Sequence, residues 1–151
     1  MNFDYIKISI LNNEKSHITR LSKELVDKVK NISKRISIYK QGDFLFKEGK
    51  NQDYIYLIEQ GDVSLIKKGL TNSVEIVHQN DGDLVGIDFI FNNSESGYSA
   101  IANEKTLLHQ VLIDDFKVFL KENNNLSLEL IQYISSLIKQ IENHSKNSIK
   151  C

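Results

Sequence analysis

The spacing of apolar residues near the N-terminus is typical of a helix. Ser22 is a favoured N-cap residue, and four apolar residues follow it on one helical face: Leu25, Val26, Val29 and Ile32. The pattern predicts a helix from Ser22 to about Arg35. The preceding residues are ambiguous, because Ile6, Ile8 and Ile10 alternate with other residues and permit a short strand, while a helical start is an open alternative.

From Ile36 to Leu112 the pattern changes to the two-residue alternation of strands. Residues 54–58 form an aromatic and β-branched run, and shorter runs alternate with polar residues. Clusters of turn-forming residues separate the runs: Gly61-Asp62, Lys68-Gly69, Asn80-Asp81-Gly82 and Asn92-Asn93-Ser94. Many short strands without a helix-sized segment between them predict an antiparallel roll or barrel rather than a parallel α/β sheet.

Helical spacing returns near Asp114, which is suited to cap a short helix with three apolar residues: Phe116, Phe119 and Leu120. The polar run from Glu122 to Asn125 predicts the end of that helix. A longer helix is expected from about Leu126 to about His144.

The longer helix carries apolar residues at the spacing of a coiled-coil seam. The seam consists of Leu126, Leu130, Ile134, Leu137 and Ile141. We expect it to meet the same helix of a second subunit in a parallel homodimer, while Ile131 and Ile138 face the chain's own strands. The alternative is one wide apolar face that is buried within a single protomer.

Composition excludes several classes of protein. The 151 residues suit one domain, and no apolar run approaches the about 18 residues of a membrane span. The N-terminus lacks the features of a secretion signal, so a cytoplasmic location without membrane contact is expected. A net charge of −1 is not typical of a nucleic-acid-binding domain. The single cysteine, Cys151, forms neither an internal disulfide nor a metal centre.

Glycines punctuate the strand-rich part in a recognisable order. The motifs are Gly42 to Gly49, Tyr54 to Gly61, Gly82-Asp83-Leu84-Val85-Gly86-Ile87-Asp88 and Gly97-Tyr98-Ser99-Ala100. They resemble the cyclic-nucleotide-binding β-roll of the Crp/Fnr family of bacterial regulators, over roughly residues 20 to 147. The resemblance implies an α+β protein: an antiparallel jelly-roll-like β-roll with an N-terminal helical segment and a long C-terminal dimerisation helix.

The Gly86 loop has the form of a phosphate site, since a glycine admits a ligand to the backbone and residues 87 to 91 can form a helical turn. In the cyclic-nucleotide binders of the family, a glutamate after this glycine takes the ribose hydroxyl, and an arginine before a Ser/Thr-Ala pair takes the phosphate. Those positions hold Ile87 and Tyr98, the latter before Ser99-Ala100. A neutral tyrosine cannot balance an anion, so cyclic AMP binding in the usual way is disfavoured.

The family's third contact comes from the dimer helix, and the matching positions are Ile141 and Glu142, neither of which carries a hydroxyl group. The candidate binding residues are Gly86, Ile87, Asp88, Phe89, Tyr98, Ser99, Ala100, Ile141 and Glu142. The loop is also similar to the oxygen-sensing branch of the family, but the cysteines for its iron–sulfur cluster are missing. Two alternatives remain open: the roll binds a more apolar small-molecule effector, or it binds no effector.

We divide the chain into an N-terminal helical segment (1–35), the β-roll (36–112), C-terminal helices that include the dimer helix (113–147) and a tail (148–151). No catalytic motif occurs, and the four histidines lack metal-ligand spacing, so an enzyme is not expected. Family members continue into a helix-turn-helix domain. This chain ends before one, so it is either a stand-alone sensory domain or part of a longer regulator, and alone should not bind DNA specifically.

Two functions remain. The first is the effector-sensing domain of a Crp/Fnr-type transcription regulator, and the second is a dimerisation or protein-interaction module with a vestigial pocket. Phe89, Phe91 and Tyr98 distinguish them. If these side chains line an open pocket, sensing is favoured, and if they fill it, the interaction module is favoured.

Overall fold

The computed structural model describes residues 19–91 and 95–149, with side chains up to residue 143. The elements, in chain order, are α1 (Lys23–Ile32), β1 (Arg35–Tyr39), β2 (Phe44–Phe46), β3 (Tyr54–Gln60), β4 (Asp62–Lys68), β5 (Ser73–Asn80), β6 (Leu84–Val85), a 3-10 helix (Ile87–Ile90), β7 (Ser99–Ala102), β8 (Thr106–Leu112), α2 (Ile113–Glu122) and α3 (Asn124–Ile149). The ambiguous segment at Ile6 to Ile10, the turn cluster 92–94 and Cys151 lie outside the described residues.

Helix α1 begins where the sequence predicts. The Ser22 hydroxyl accepts a hydrogen bond from the backbone N–H of Leu25 at 3.2 Å, and Leu25 and Val29 are fully buried. The helix ends at Ile32 rather than near Arg35, because Arg35 already pairs with Gln110 as the first residue of β1.

Eight strands form two antiparallel four-stranded sheets, with the orders β1-β8-β3-β6 and β2-β7-β4-β5. Leu57 of β3 lies opposite His109 of β8, and Ser64 of β4 lies opposite His78 of β5. Buried side chains from both sheets and from the three α-helices belong to one apolar cluster. The antiparallel β-roll with flanking helices is therefore confirmed.

The join between β8 and α2 differs from the expectation that Asp114 caps a helix. Strand β8 runs directly into α2, so Leu112 occupies the N-cap position and Asp114 lies in the first turn. The break after α2 is the single residue Asn123, whose side-chain amide donates to the Phe119 carbonyl oxygen at 2.9 Å. Helix α3 consequently starts at Asn124 and continues to Ile149, which makes it longer than predicted.

The apolar face of α3 that was predicted to meet a second subunit packs on the chain's own roll. Leu126, Leu130, Ile134 and Leu137 are buried, and Ile141 is half-buried. Among the α3 side chains up to residue 143, the exposed apolar residues are Leu128 (66% exposed), Ile131 (56%) and Ile138 (38%). The assignment of the two faces is therefore wrong, since periodicity identifies an apolar face without identifying the surface that it contacts.

Among the residues that the structure describes, no helix combines the length and the apolar character needed to cross a bilayer.

Candidate functional site

The Gly86 loop connects β6 to the 3-10 helix, and its short helical turn agrees with the prediction. Gly86 has a φ of +83°, in the left-handed region that favours glycine. A Cβ atom at this position would lie 2.7 Å from Cε2 of Phe89. The Phe89 ring therefore lies against the glycine, in the space that a side chain at this position would occupy.

Three aromatic rings pack together beside this loop, and we call Phe46, Phe89 and Tyr98 the aromatic cluster. The ring centroids are 5.0 Å apart for Phe46 and Phe89, 5.5 Å for Phe46 and Tyr98, and 6.1 Å for Phe89 and Tyr98. All three side chains are buried, and such pairs contribute about 0.5–1.5 kcal/mol each beyond their burial. The rings thus fill the space beside the Gly86 loop.

A hydrogen bond joins the two polar groups of the cluster region. The Tyr98 hydroxyl donates to Oδ1 of Asp88 at 2.6 Å. Burial raises the pKa of Asp88 above its usual value of 3.8, although the hydrogen bond from Tyr98 acts in the opposite direction. Burial, with the neighbouring Asp88 carboxylate, also raises the pKa of Tyr98 well above 10.0. Tyr98, which the resemblance places at the position of the family's arginine, therefore donates to a partly buried carboxyl group of the same domain.

The other predicted residues of β7 and the loop have structural roles. Ile87 and Ala100 are fully buried in the core. The Ser99 hydroxyl accepts the backbone N–H of Glu48 at 2.8 Å, and so ties β7 to the end of β2. Side chains that were predicted to contact a ligand therefore contact other parts of the protein instead.

The two predicted residues of α3 lie elsewhere. Ile141 packs at the edge of the core, and Glu142 lines an open groove of about 400 Å³. We call this the Phe91 groove; its walls are Phe91, Ile131, Ile134, Ser135, Ile138, Lys139 and Glu142. The predicted site residues therefore do not form one pocket: Phe89 and Tyr98 belong to the closed aromatic cluster, while Glu142 lines the exposed groove. Phe89 and Tyr98 thus fill their site, whereas Phe91 lines an open one.

Sequence reasoning missed two contributors to this region. Phe46 completes the aromatic cluster, yet in the sequence it is one of several apolar residues in a short strand. Tyr133, in the middle of α3, is fully buried, and its hydroxyl accepts the backbone N–H of Leu84 at 2.8 Å. A tyrosine on an apolar helix face was the available signal, because a buried hydroxyl needs a polar partner.

The family model for the cyclic nucleotide-binding domain matches residues 37–123, which span the roll and α2. The chain belongs to the cyclic nucleotide-binding domain family. This confirms the resemblance that the glycine motifs indicate. No functionally curated protein matches the sequence.

Solved structures with the same fold include regulators of transcription. The catabolite activator protein of Thermus thermophilus is 22% identical, with a TM-score of 0.60 over 85% of this chain and 57% of its own. The c-di-GMP-responsive regulator CLP of Xanthomonas campestris is 13% identical, with a TM-score of 0.73 over 85% of this chain and 64% of its own. The N-terminal domain of a Streptomyces coelicolor transcriptional regulator is 17% identical, with a TM-score of 0.61 over 83% of this chain and 87% of its own.

These similarities establish the fold of the chain. It spans less than two thirds of the length of the first two regulators. The ligand chemistry of this domain has to be read from its own residues.

Proposed function

We propose that this chain is the regulatory domain of a cytoplasmic Crp/Fnr-type transcription regulator that does not bind cyclic AMP in the usual way. Its role is non-catalytic, and its output is the pairing of two α3 helices. The observation that carries the proposal is the aromatic cluster, which packs against Gly86 where the family binds a nucleotide. The family membership supports a regulatory role.

The charges in the cluster disfavour an anionic ligand. A cyclic phosphate needs a cation, but Tyr98 is neutral and Asp88 adds a carboxyl group within 2.6 Å of its hydroxyl. Loss of one charge-assisted hydrogen bond costs about 1.5–3 kcal/mol, or about one to two decades of affinity. Displacement of the three buried rings would add to that cost.

The exposed face of α3 supports pairing with a second copy of the chain. Leu128, Ile131, Ser135 and Ile138 follow each other at intervals of three, four and three residues, and we call them the exposed seam. That spacing is typical of a coiled coil, in which a two-fold axis brings identical faces together. Phe91, which is 68% exposed, extends the apolar surface across the Phe91 groove. The homodimer is therefore proposed to form through a different face of α3 from the predicted seam.

The first experiment is a thermal melt with and without saturating cyclic AMP or cyclic GMP. A ligand at about 100 times its dissociation constant adds about 2.7 kcal/mol, which raises the melting temperature by roughly 5 °C or more for a chain of this size. We expect no rise. A clear rise would contradict the proposal that the aromatic cluster excludes the nucleotide.

The filled cluster also favours a second candidate, a dimerisation module without any effector. A melt screen with small nucleotides and small apolar acids separates the two functions. A compound that raises the melting temperature and changes the dimer dissociation constant supports a regulatory domain with its own effector. A screen in which no compound changes either quantity supports the module.

A further inference from the structure

One tyrosine of α3 makes direct polar contact with the strand that leads into the Gly86 loop. The Tyr133 hydroxyl accepts the backbone N–H of Leu84 at 2.8 Å and the side-chain amide of Gln79 at 3.0 Å. It lies 3.4 Å from Oδ1 of Asp83, to which it can donate. Gln79 and Tyr133 are fully buried. We call Gln79, Asp83, Leu84 and Tyr133 the polar hub.

The hub is separated from the candidate site by a very short stretch of backbone. Leu84 and Val85 form β6, Gly86 follows at once, and the 3-10 helix then carries Asp88 and Phe89 into the aromatic cluster. Strand β6 is held on its other side by pairing with β3. A shift of the Gly86 loop therefore reaches the Leu84 N–H with little flexible chain to absorb it.

The polar contact differs in kind from the apolar contacts of α3. Buried side chains such as Leu130 and Leu137 stabilise the packing, but apolar contacts have no preferred direction and tolerate small slides. A hydrogen bond to a backbone N–H depends on distance and angle. Gln79 reinforces this geometry, because its amide also donates to the Leu84 carbonyl oxygen at 3.0 Å. The side-chain oxygen of Gln79 is buried and has no hydrogen-bond partner among the residues that the structure describes.

We propose that Tyr133 is a positioning residue that couples the placement of α3 to the conformation of the Gly86 loop and the aromatic cluster. The inference rests on the proposed function, since it names a polar contact through which the site acts on the pairing helix. Tyr133 sets the position of the helix through Leu84, and apolar packing around it supplies the stability.

The test combines two substitutions in a double-mutant cycle. Gly86→Ala perturbs the loop, because the new methyl group contacts Phe89, and Tyr133→Phe removes only the hydroxyl. Hydrogen exchange of the α3 amides is measured in the wild type, both single variants and the double variant, relative to amides of β4. In the protein that keeps Tyr133, Gly86→Ala is expected to speed hydrogen exchange of the α3 amides by about fivefold or more. In the Tyr133→Phe background, the same substitution should speed this exchange by less than about twofold.

Two further variants keep the cycle interpretable. Tyr39→Phe removes another tyrosine hydroxyl, which lies in β1 and accepts a hydrogen bond from the side-chain amide of Gln110 instead of from the hub. This variant should leave the full effect of Gly86→Ala. If Gly86→Ala does not fold, Tyr98→Phe gives a milder perturbation of the same cluster by removing the hydrogen bond to Asp88.

The inference would be overturned if Gly86→Ala accelerated α3 exchange equally in the wild-type and Tyr133→Phe backgrounds. It would also be overturned if Gly86→Ala accelerated α3 exchange in neither background. Sedimentation equilibrium on the same wild-type sample tests the proposed function separately. A monomer at all concentrations would refute the homodimer, while the exchange cycle would still decide whether Tyr133 couples the helix to the loop.

Discussion

Gly86 is required both for its backbone conformation and for the space beside its Cα atom. Its φ of +83° is nearly the same as the +85° of Gly82, four residues earlier. The surroundings differ, because a Cβ at Gly82 would meet nothing within 4 Å, whereas one at Gly86 would meet the Phe89 ring at 2.7 Å. The two glycines therefore separate the cost of backbone strain from the cost of a steric clash.

We expect Gly82→Ala to lower the free energy of unfolding by about 1 kcal/mol, because a left-handed alanine is strained. Gly86→Ala should cost about 1–3 kcal/mol more, since Phe89 must move in a packed core. Urea unfolding of both variants measures the difference. Equal losses would show that the Phe89 ring does not lie over Gly86.

Asp88 should make stability depend on pH in the direction opposite to most carboxylates. Its folded pKa lies above the usual value of 3.8, so the folded state binds the proton more tightly than the unfolded state. The destabilisation is fully present above the folded pKa and is relieved as the pH falls towards 3.8.

Asp88→Asn should therefore gain stability relative to the wild type near pH 7, with the gain shrinking as the pH falls to about 4. Chemical denaturation at several pH values measures this difference. Asp114→Asn, at an exposed position in α2, controls for the loss of a negative charge. A difference between wild type and Asp88→Asn that does not change with pH would be inconsistent with a buried carboxyl group.

At the scale of elements, α3 has two apolar faces with different partners. One face, with Leu130 and Leu137, is part of the core, and the exposed seam lies on the other. Leu137 and Ile138 are neighbours in the sequence but belong to different faces, with exposures of 0% and 38%. This pair allows the protomer fold and the proposed dimer to be disrupted separately.

Leu137→Asp should destabilise the protomer by about 3 kcal/mol or more, because it removes buried apolar surface and places a charge in the core. Ile138→Asp should change the stability of the protomer little and weaken the dimer by about tenfold or more. Circular dichroism and sedimentation equilibrium report the two properties. A folded Leu137→Asp variant, or an Ile138→Asp variant that dimerises like the wild type, would reverse the assignment of faces.

At the scale of the whole molecule, the proposed dimer links folding to concentration. Two protomers that pair only when folded stabilise each other by mass action, so the melting temperature should rise with protein concentration. The difference in melting temperature between about 2 µM and about 200 µM should be larger for the wild type than for Ile138→Asp. Coinciding wild-type curves, together with a monomeric mass, would exclude pairing in this concentration range.

The local features of this protein are readable in its sequence. The Ser22 cap, the alternating strands and the order of the glycines lead to the α1 start, the antiparallel roll and its family. The resemblance also places Ile87 and Tyr98 at the positions of the family's two ionic partners for a nucleotide, and that assignment stays a prediction. The confirmed inferences rest on caps, periodicity and glycine order, which depend on residues that are close in the chain.

Tertiary structure decided which surface each α3 face contacts, and periodicity cannot supply that information because both faces are apolar. It also placed Phe46 and Phe89 together and brought Tyr133 to the Leu84 N–H, contacts between residues 43 and 49 positions apart that depend on how the sheets and helices pack. The closed cluster is decided at this level as well, since three aromatic residues can line a pocket or fill it, and only their positions in the packed core distinguish the two.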